Sequence, residues 1–355
     1  MARLVAIDQA GGPAFVDELE RVWAAGDAAF PVDQRLPPAR RADLCIAMRV
    51  GEEVDDGDAL IVATSGSTGR PKGVVLTHDA VAASARATSA ALDVADDDHW
   101  LACLPLSHVG GLSVLTRALL TSTPVTVMPG FDAAEVMRAV DIGATLVSLV
   151  PTVLARIEPS RFRRIVIGGT RPPSDLPANA VTTYGMTETG SGVVYDGRPL
   201  DGVDVHLDDA GGIHLRAPML LRCYRDGTVP IDADGWFATG DVGRWVEGND
   251  GPRLHVDGRR GDLIISGGEN IWPDAVEALI ATHPDVAEVM VRGTDDPEWG
   301  QLVEAVVVPV DRARPPSLDD LRHHVRATDA AYMAPRRLTL ATALPRTALG
   351  KLRRS

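Results

Sequence analysis

The stretch ALIVATSGSTGRPKG, residues 59–73, joins an apolar run to a loop of small, polar and cationic residues. ALIVATS, 59–65, is rich enough in aliphatic residues to read as a buried strand. The loop that follows offers hydroxyls at Thr64, Ser65, Ser67 and Thr68, flexible backbone at Gly66 and Gly69, and cations at Arg70 and Lys72. Hydroxyl, amide and ammonium donors in that order can wrap a polyphosphate. The loop is not a Walker A loop, although Gly66 and Lys72 have the right separation. Pro71 takes the second glycine position and removes an N–H, and Gly73 stands where a magnesium-binding Ser or Thr belongs. Taken alone, the same letters also describe a polar surface turn.

Outward from this stretch the chain alternates strands and helices. HWLACLP, PVTVMP, ATLVSLV and RRIVIGG read as buried strands, and DAVAASARATSAALDVA and FDAAEVMRAV as helices between them. That alternation predicts an α/β fold with parallel sheets and helices on their faces. Between about Leu200 and Val256 the period changes to two, in strands such as GVDVHLDDAGGIHL, with DG, GG and ND turns that predict a small antiparallel β unit. After DGRRGD, 257–262, come LIIS, a helix over DAVEALIATH, strands AEVMVRG and VEAVVVPV, a helix near SLDDLRHHVRATDA and a basic tail. These predict a compact α+β module. The expected organisation is a large N-terminal domain, 1–260, and a small C-terminal domain, 261–355.

Composition narrows the function classes. The 355 residues are 45% hydrophobic and 24% charged, as in a globular protein with a buried core. Thirty-five basic against 49 acidic side chains give a formal charge of -14, which argues against nucleic acid or an anionic membrane as partner. Cys45, Cys103 and Cys223 are widely spaced and form no CxxC or Cys/His group, so neither a disulfide framework nor a zinc site is expected. No stretch approaches the roughly 18 apolar residues of a membrane span, and the first residues lack a signal-peptide h-region, so no membrane insertion and a cytoplasmic location are expected.

Other short stretches carry candidate chemistry. In TTYGMTETG, 182–190, Tyr184 offers a ring for a base, Thr187 a hydroxyl for a phosphate oxygen and Glu188 a carboxylate for magnesium. A strand-end turn with a capped helix is the structural alternative. TGD, 239–241, and GRRGD, 258–262, offer Asp241 and Arg259 to ribose hydroxyls, although surface turns use the same letters. PRTALGK, 345–351, ends on Lys351, which in isolation reads as one more solvated lysine. IVIGGT contributes Gly168 and Gly169.

In this order, from about Leu60 to Lys351, the stretches resemble the adenylate-forming superfamily of acyl-CoA synthetases, peptide-synthetase adenylation domains and luciferases. The resemblance implies a reaction in which a carboxylate and ATP give an acyl-adenylate and pyrophosphate, with the acyl group then passed to a thiol such as that of CoA. TSGSTGRPKG is similar to the family's phosphate loop, which implies ATP contacts from Thr64 to Gly69 and at Lys72. YGMTE is similar to its adenine and magnesium motif, implying roles for Tyr184, Gly185, Thr187 and Glu188, with Mg2+ at Glu188. Gly168 and Gly169 would admit the adenine plane, and Asp241 and Arg259 would hold the ribose. The resemblance makes Lys351 the lysine that bridges carboxylate and α-phosphate, and Gly261 the hinge of a mobile lid. It makes Ser266, Gly267 and Gly268 the lining of a pantetheine tunnel, where a simple β-turn is the alternative. A homodimer is compatible with it.

The acid is addressed by LPLSHVGGLSVLTRALL, 104–120. His108 either is a satisfied core histidine or gates the carboxylate pocket, and Arg117 either snorkels to the surface or grips a second carboxylate. The family's amino-acid-activating members use an aspartate in this region to hold an ammonium, and none is present here. A histidine followed nine residues later by arginine is similar to the o-succinylbenzoate-CoA ligases of menaquinone biosynthesis. Other expectations are a ligase for another aryl or short acyl acid, with CoA or a carrier protein as acceptor, and a silent ATP-binding regulator. Intact Lys351, Glu188 and Asp241 speak against silence.

Overall fold

The computed structural model describes residues 1–65, 71–169, 172–173, 175–346 and 352. The chain forms two compact units. One consists of Met1–Val205, Leu215–Phe237 and Glu247–Leu254, the other of His206–His214, Ala238–Val246 and His255–Ser355.

The first unit contains two sheets. A seven-stranded sheet runs in the order Arg198–Pro199, Gly192–Tyr195, Ala180–Gly185, Arg164–Ile167, Leu146–Leu149, Trp100–Ala102, Val125–Val127. Its five strands from Ala180–Gly185 to Val125–Val127 are parallel, as the alternation predicts, and an antiparallel pair closes the other edge. The second sheet has the order Leu4–Ile7, Ala28–Pro31, Asp58–Ser65, Pro71–Thr77, Cys223–Tyr224. The ALIVATS strand belongs here, apart from the parallel strands that follow it in sequence. It pairs antiparallel with Pro71–Thr77, with Thr64 opposite Lys72. The expectation of one continuous parallel alternation from Leu60 is therefore corrected: the phosphate-loop stretch joins the arms of a β-hairpin. A Walker loop instead leads from strand to helix, so the topology excludes that motif on the same side as Pro71 and Gly73 do.

Two helices lie between these sheets. His78–Ala91 starts at Thr77, whose hydroxyl accepts the Ala80 N–H at 3.1 Å, a cap worth about 1 kcal/mol. Its buried face is made of Ala80, Val81, Ser84, Ala85 and Thr88, small enough for Val109–Thr121 to pack closely against it. Val109–Thr121 in turn packs on the Trp100–Ala102 and Leu146–Leu149 strands. At its first turn Gly111 is required, because a Cβ there would lie 2.4 Å from the Leu104 carbonyl oxygen.

The strands Asp204–Leu207, Gly212–Arg216, Phe237–Gly248 and Gly251–Arg259 form a four-stranded sheet in chain order, the small β unit expected from period two. The division between the two compact units falls within these strands. In the second unit the long hairpin Val286–Asp296 and Gly300–Pro309 is flanked by Ile264–Ser266, Glu269–Ile271 and Arg337–Leu340. Alternation along the hairpin puts Val289, Val291, Val303, Ala305 and Val307 in one core with Val276, Ile280, Leu321 and Val325 of the helices Pro273–Ile280 and Leu318–Thr328. Among the described residues no helix is long and apolar enough to cross a membrane.

Candidate active site

In the first unit the structure brings Lys72 and Glu188 to one side chain that no motif singles out, Tyr224. Glu188 sits in the 3-10 turn Thr187–Thr189 that follows the strand Ala180–Gly185. The turn is pinned at both ends: the Met186 N–H donates to Thr189 Oγ1 at 2.9 Å, and the Leu221 N–H donates to the Glu188 carbonyl at 2.8 Å. Glu188 Oε1 accepts a hydrogen bond from the Tyr224 hydroxyl at 3.0 Å. Lys72 Nζ lies 4.8 Å from the centroid of the same ring, within cation–π range. Tyr224 carries no signal in the sequence because its strand is only two residues long and reaches this position through pairing with Val74 and Val75.

The glycines of the site fall into two kinds. Gly169 has φ +87°, which a side chain would strain. Gly168 and Gly185 are demanded by packing: a Cβ at Gly168 would come within 2.8 Å of Thr183 Cγ2, and one at Gly185 within 2.2 Å of the Ser191 carbonyl oxygen. Gly185→Ala must push the neighbouring strand Gly192–Tyr195 away, and overpacking of this kind costs about 1–3 kcal/mol. A lowered thermal midpoint, with ATP binding weakened because Tyr184 and Glu188 flank the displaced backbone, is the expected outcome in a melting series with and without nucleotide. Tyr184 and Thr187 are half-buried on the same strand and turn.

His108 caps the N-terminus of Val109–Thr121 without a side-chain capping bond. Its Nε2 lies 2.7 Å from Arg35 Nη2 and 3.5 Å from Asp33 Oδ2. Arg35 grips Asp33 through Nε and Nη2 at 2.8 and 2.7 Å. Burial raises the Asp33 pKa, but the contacts with His108 and Arg35 outweigh it and hold the carboxyl far below its ordinary value. Asp33 and Arg35 thus fix the ring orientation of His108. Their segment follows the short strand Ala28–Pro31, and nothing in its letters ties it to a histidine 73 residues away.

Arg117 is 2% exposed, a buried guanidinium stacked 4.9 Å from the Trp100 ring. Its Nη2 donates to Ser191 Oγ at 3.3 Å, and Ser191 Oγ donates to Ser113 Oγ at 3.2 Å. Ser113 lines a small cavity together with Leu76, Val81, Val109, Leu112 and Thr116. Arg117 Nε and Nη1 are buried without a hydrogen-bond partner. Burial lowers the Arg117 pKa from its ordinary value; with so high a starting point the group stays charged.

The second unit holds another group of candidates. Thr239 and Asp241 lie on the strand Phe237–Gly248, and the Asp241 N–H donates to Thr239 Oγ1 at 3.1 Å. Arg259 Nε is 3.7 Å from Asp241 Oδ1, so the two residues expected around a ribose are neighbours. Gly261 lies in the 3-10 turn Arg260–Asp262, where φ is not positive and a Cβ would meet open space. The conformation here does not require glycine. Ser266, Gly267 and Gly268 form the corner of a hairpin between Ile264–Ser266 and Glu269–Ile271, with φ +60° at Gly267 and +85° at Gly268. Both central residues are left-handed, as a type I′ turn requires. Gly267 also lies against the Trp299 ring, where a Cβ would come within 2.7 Å.

Gly66, Ser67, Thr68, Gly69 and Lys351 lie outside the described residues, as does the side chain of Ser65. Among the described residues no group of three or more His, Cys, Asp or Glu side chains could cage a metal. A lone carboxylate such as Glu188 instead suits Mg2+, which keeps several waters and uses one or two carboxylates plus substrate phosphates.

Comparison with known proteins places the chain in a family. Residues 15–219 match the AMP-binding enzyme family, and residues 275–351 match the AMP-binding enzyme C-terminal domain. The chain belongs to the AMP-binding enzymes. A probable 2-succinylbenzoate–CoA ligase of Mycobacterium tuberculosis is 39% identical, over 95% of this chain and 92% of its own length. A 2-succinylbenzoate–CoA ligase of Bacillus cereus is 36% identical, over 83% of this chain and 68% of its own. Among solved structures, o-succinylbenzoate CoA synthetase from Bacillus subtilis in complex with the acyl-adenylate intermediate OSB-AMP superposes with a TM-score of 0.88 at 27% identity. That match covers 99% of this chain and 87% of the other. The same enzyme in complex with ATP and magnesium ion gives 0.85 at 26% identity, over 99% and 88% of the two chains.

Proposed function

We propose that this protein is an ATP-dependent 2-succinylbenzoate–CoA ligase acting in menaquinone biosynthesis. It joins the acid to ATP as an acyl-adenylate, releasing pyrophosphate, and then passes the acyl group to the CoA thiol. The observation that carries the choice of acid is Arg117, whose buried guanidinium has two unpartnered nitrogens and a hydroxyl chain through Ser191 to Ser113. A buried guanidinium with unmet donors is costly unless an anion arrives. The second carboxylate of a dicarboxylic acid is such an anion, and it leaves the first carboxylate to react.

In the first half-reaction the acid's carboxylate oxygen attacks the α-phosphorus and the bond to the β-phosphate breaks. Both reactants are anions, so their approach needs fixed positive charge. Lys72 and the loop hydroxyls hold the departing pyrophosphate, Lys351 bridges carboxylate and α-phosphate, and Asp241 with Arg259 holds the ribose. Bound Mg2+, held by Glu188, would draw charge from the phosphate oxygens. His108, oriented by Asp33 and Arg35, stands at the entrance to the carboxylate site. In the second half-reaction the CoA thiol attacks the acyl carbonyl and AMP leaves. We take residues 261–355 as a mobile lid turning at Gly261, which brings Ser266, Gly267 and Gly268 to the pantetheine arm. The enzyme works in the cytoplasm, where ATP and CoA meet, as a monomer or homodimer.

An acid panel tests the reading. ATP–pyrophosphate exchange should depend on 2-succinylbenzoate, and thioester should appear only when CoA is added. Robust turnover of benzoate or a fatty acid, with no AMP formed from 2-succinylbenzoate, would overturn the substrate assignment.

A further inference from the structure

We propose that Tyr224 is a positioning residue of the adenylation site, which keeps Lys72 and Glu188 apart and available until the nucleotide arrives. The proposal rests on the reading of Glu188 as the magnesium carboxylate and Lys72 as a phosphate contact. The two are opposite charges held by one aromatic side chain: the ammonium lies over the ring face at 4.8 Å, and the carboxylate accepts from the ring hydroxyl at 3.0 Å. A flexible lysine and a glutamate free to meet would close into an ion pair, and incoming Mg2+ and polyphosphate would first have to break it. A π face and a neutral hydroxyl hold each charge without cancelling it. Both can be surrendered to a ligand with no charge left stranded.

The ring can do this because the backbone beneath it is fixed. Tyr224 pairs with Val74 across the sheet, and its N–H donates to the Thr228 carbonyl at 2.8 Å. The Arg225 N–H donates to the Gly73 carbonyl at 2.7 Å, and the Arg225 guanidinium donates to the carbonyls of Met48, Arg49 and Glu53 at 3.0 to 3.2 Å. Gly73 leaves the room this needs, since a Cβ there would lie 2.9 Å from Arg225 Cβ and 2.8 Å from Met48 Sδ. The glycine that spoils a Walker motif thus lets the strand bearing Tyr224 dock beside Lys72.

The test separates the ring from its hydroxyl. Tyr224→Phe keeps the π face and removes the donor to Glu188. The Mg2+ concentration for half-maximal pyrophosphate exchange should rise about tenfold, because a released Glu188 can close onto Lys72 and that ion pair must break before the metal enters, with kcat at saturating Mg2+ within about twofold. Tyr224→Leu removes both contacts and should also weaken ATP binding at saturating metal. Binding is read independently of turnover by calorimetric titration of Mn2+ with ATP into each variant, and thermal melts confirm that each is folded. Glu188→Gln and Lys72→Ala are run beside them. Impaired Glu188→Gln and Lys72→Ala with unaltered Tyr224 variants would overturn the positioning role and leave the site reading standing. An unaltered metal dependence in Glu188→Gln would overturn both. The split between Tyr224→Phe, which shifts only the metal response, and Tyr224→Leu, which shifts metal and nucleotide, is the result that supports the proposal.

Discussion

Lys351→Ala should all but abolish acyl-adenylate formation while leaving thioester formation from preformed adenylate nearly intact. Negative charge builds on the α-phosphorus as two anions meet, and a positioned donor aimed at such charge is worth about two to three orders of magnitude in rate. On the proposed reading Lys72 cannot substitute, since it would hold the pyrophosphate side of the breaking bond. The tail is anchored on both sides of the lysine. Arg346 pairs with Leu352 and donates to Glu288, and Leu352 packs against Met290, Val306 and Leu344. Lys351→Ala therefore removes one amine and leaves the packing of Leu352 with Met290, Val306 and Leu344 in place. The two half-reactions are measured separately, as pyrophosphate exchange and as CoA-dependent release of AMP from synthetic acyl-adenylate. Equal loss in both would deny Lys351 its place in the first step.

The residues that act through their own chemistry were legible in the sequence, and those that act through position were not. The helices were visible as patterned runs, and the structure shows what starts them: Thr77 and Asp132 each accept the N–H three residues on, and Ser317 does so in a capping box with Asp320. The parallel strands were visible as apolar runs because both of their faces are covered. By contrast Leu4–Ile7 and Ala28–Pro31 lie ahead of the stretch from which the alternation was read, and Pro71–Thr77 was hidden inside a motif read for its loop. The same holds at the site. Lys72, Glu188 and Asp241 sit in stretches whose letters already suggest phosphate, metal and ribose. Tyr224, Asp33 and Arg35 are ordinary letters whose roles appear only when pairing carries Tyr224 to Lys72, and Asp33 and Arg35 to His108. Glycine was legible as a need and not as to cause: Gly185 is required by the Ser191 backbone it touches, independently of any ligand.

Arg117→Leu should raise KM for 2-succinylbenzoate at least thirtyfold, change that for a monocarboxylic analogue little, and leave the protein as stable as before or more so. The two halves of this expectation have one cause. The guanidinium is buried against Trp100, and Nη2 makes a 3.3 Å hydrogen bond to a serine hydroxyl that also reaches Ser113. Its other two nitrogens have no partner. Replacing such a charge with a leucine removes an unmet desolvation cost and keeps apolar contact with the indole, a change that is commonly neutral or stabilising. A residue kept for packing would behave in the opposite way, losing stability on truncation. Bound 2-succinylbenzoate reverses the sign, because a carboxylate that meets no guanidinium in a buried pocket loses about 2–5 kcal/mol, and about 2 kcal/mol already corresponds to a thirtyfold change in affinity. Thermal melts and paired kinetics on di- and monocarboxylic acids decide it. A variant that melts much lower, or that weakens both acids alike, would show that Arg117 is there to support the fold and that the second carboxylate is recognised elsewhere.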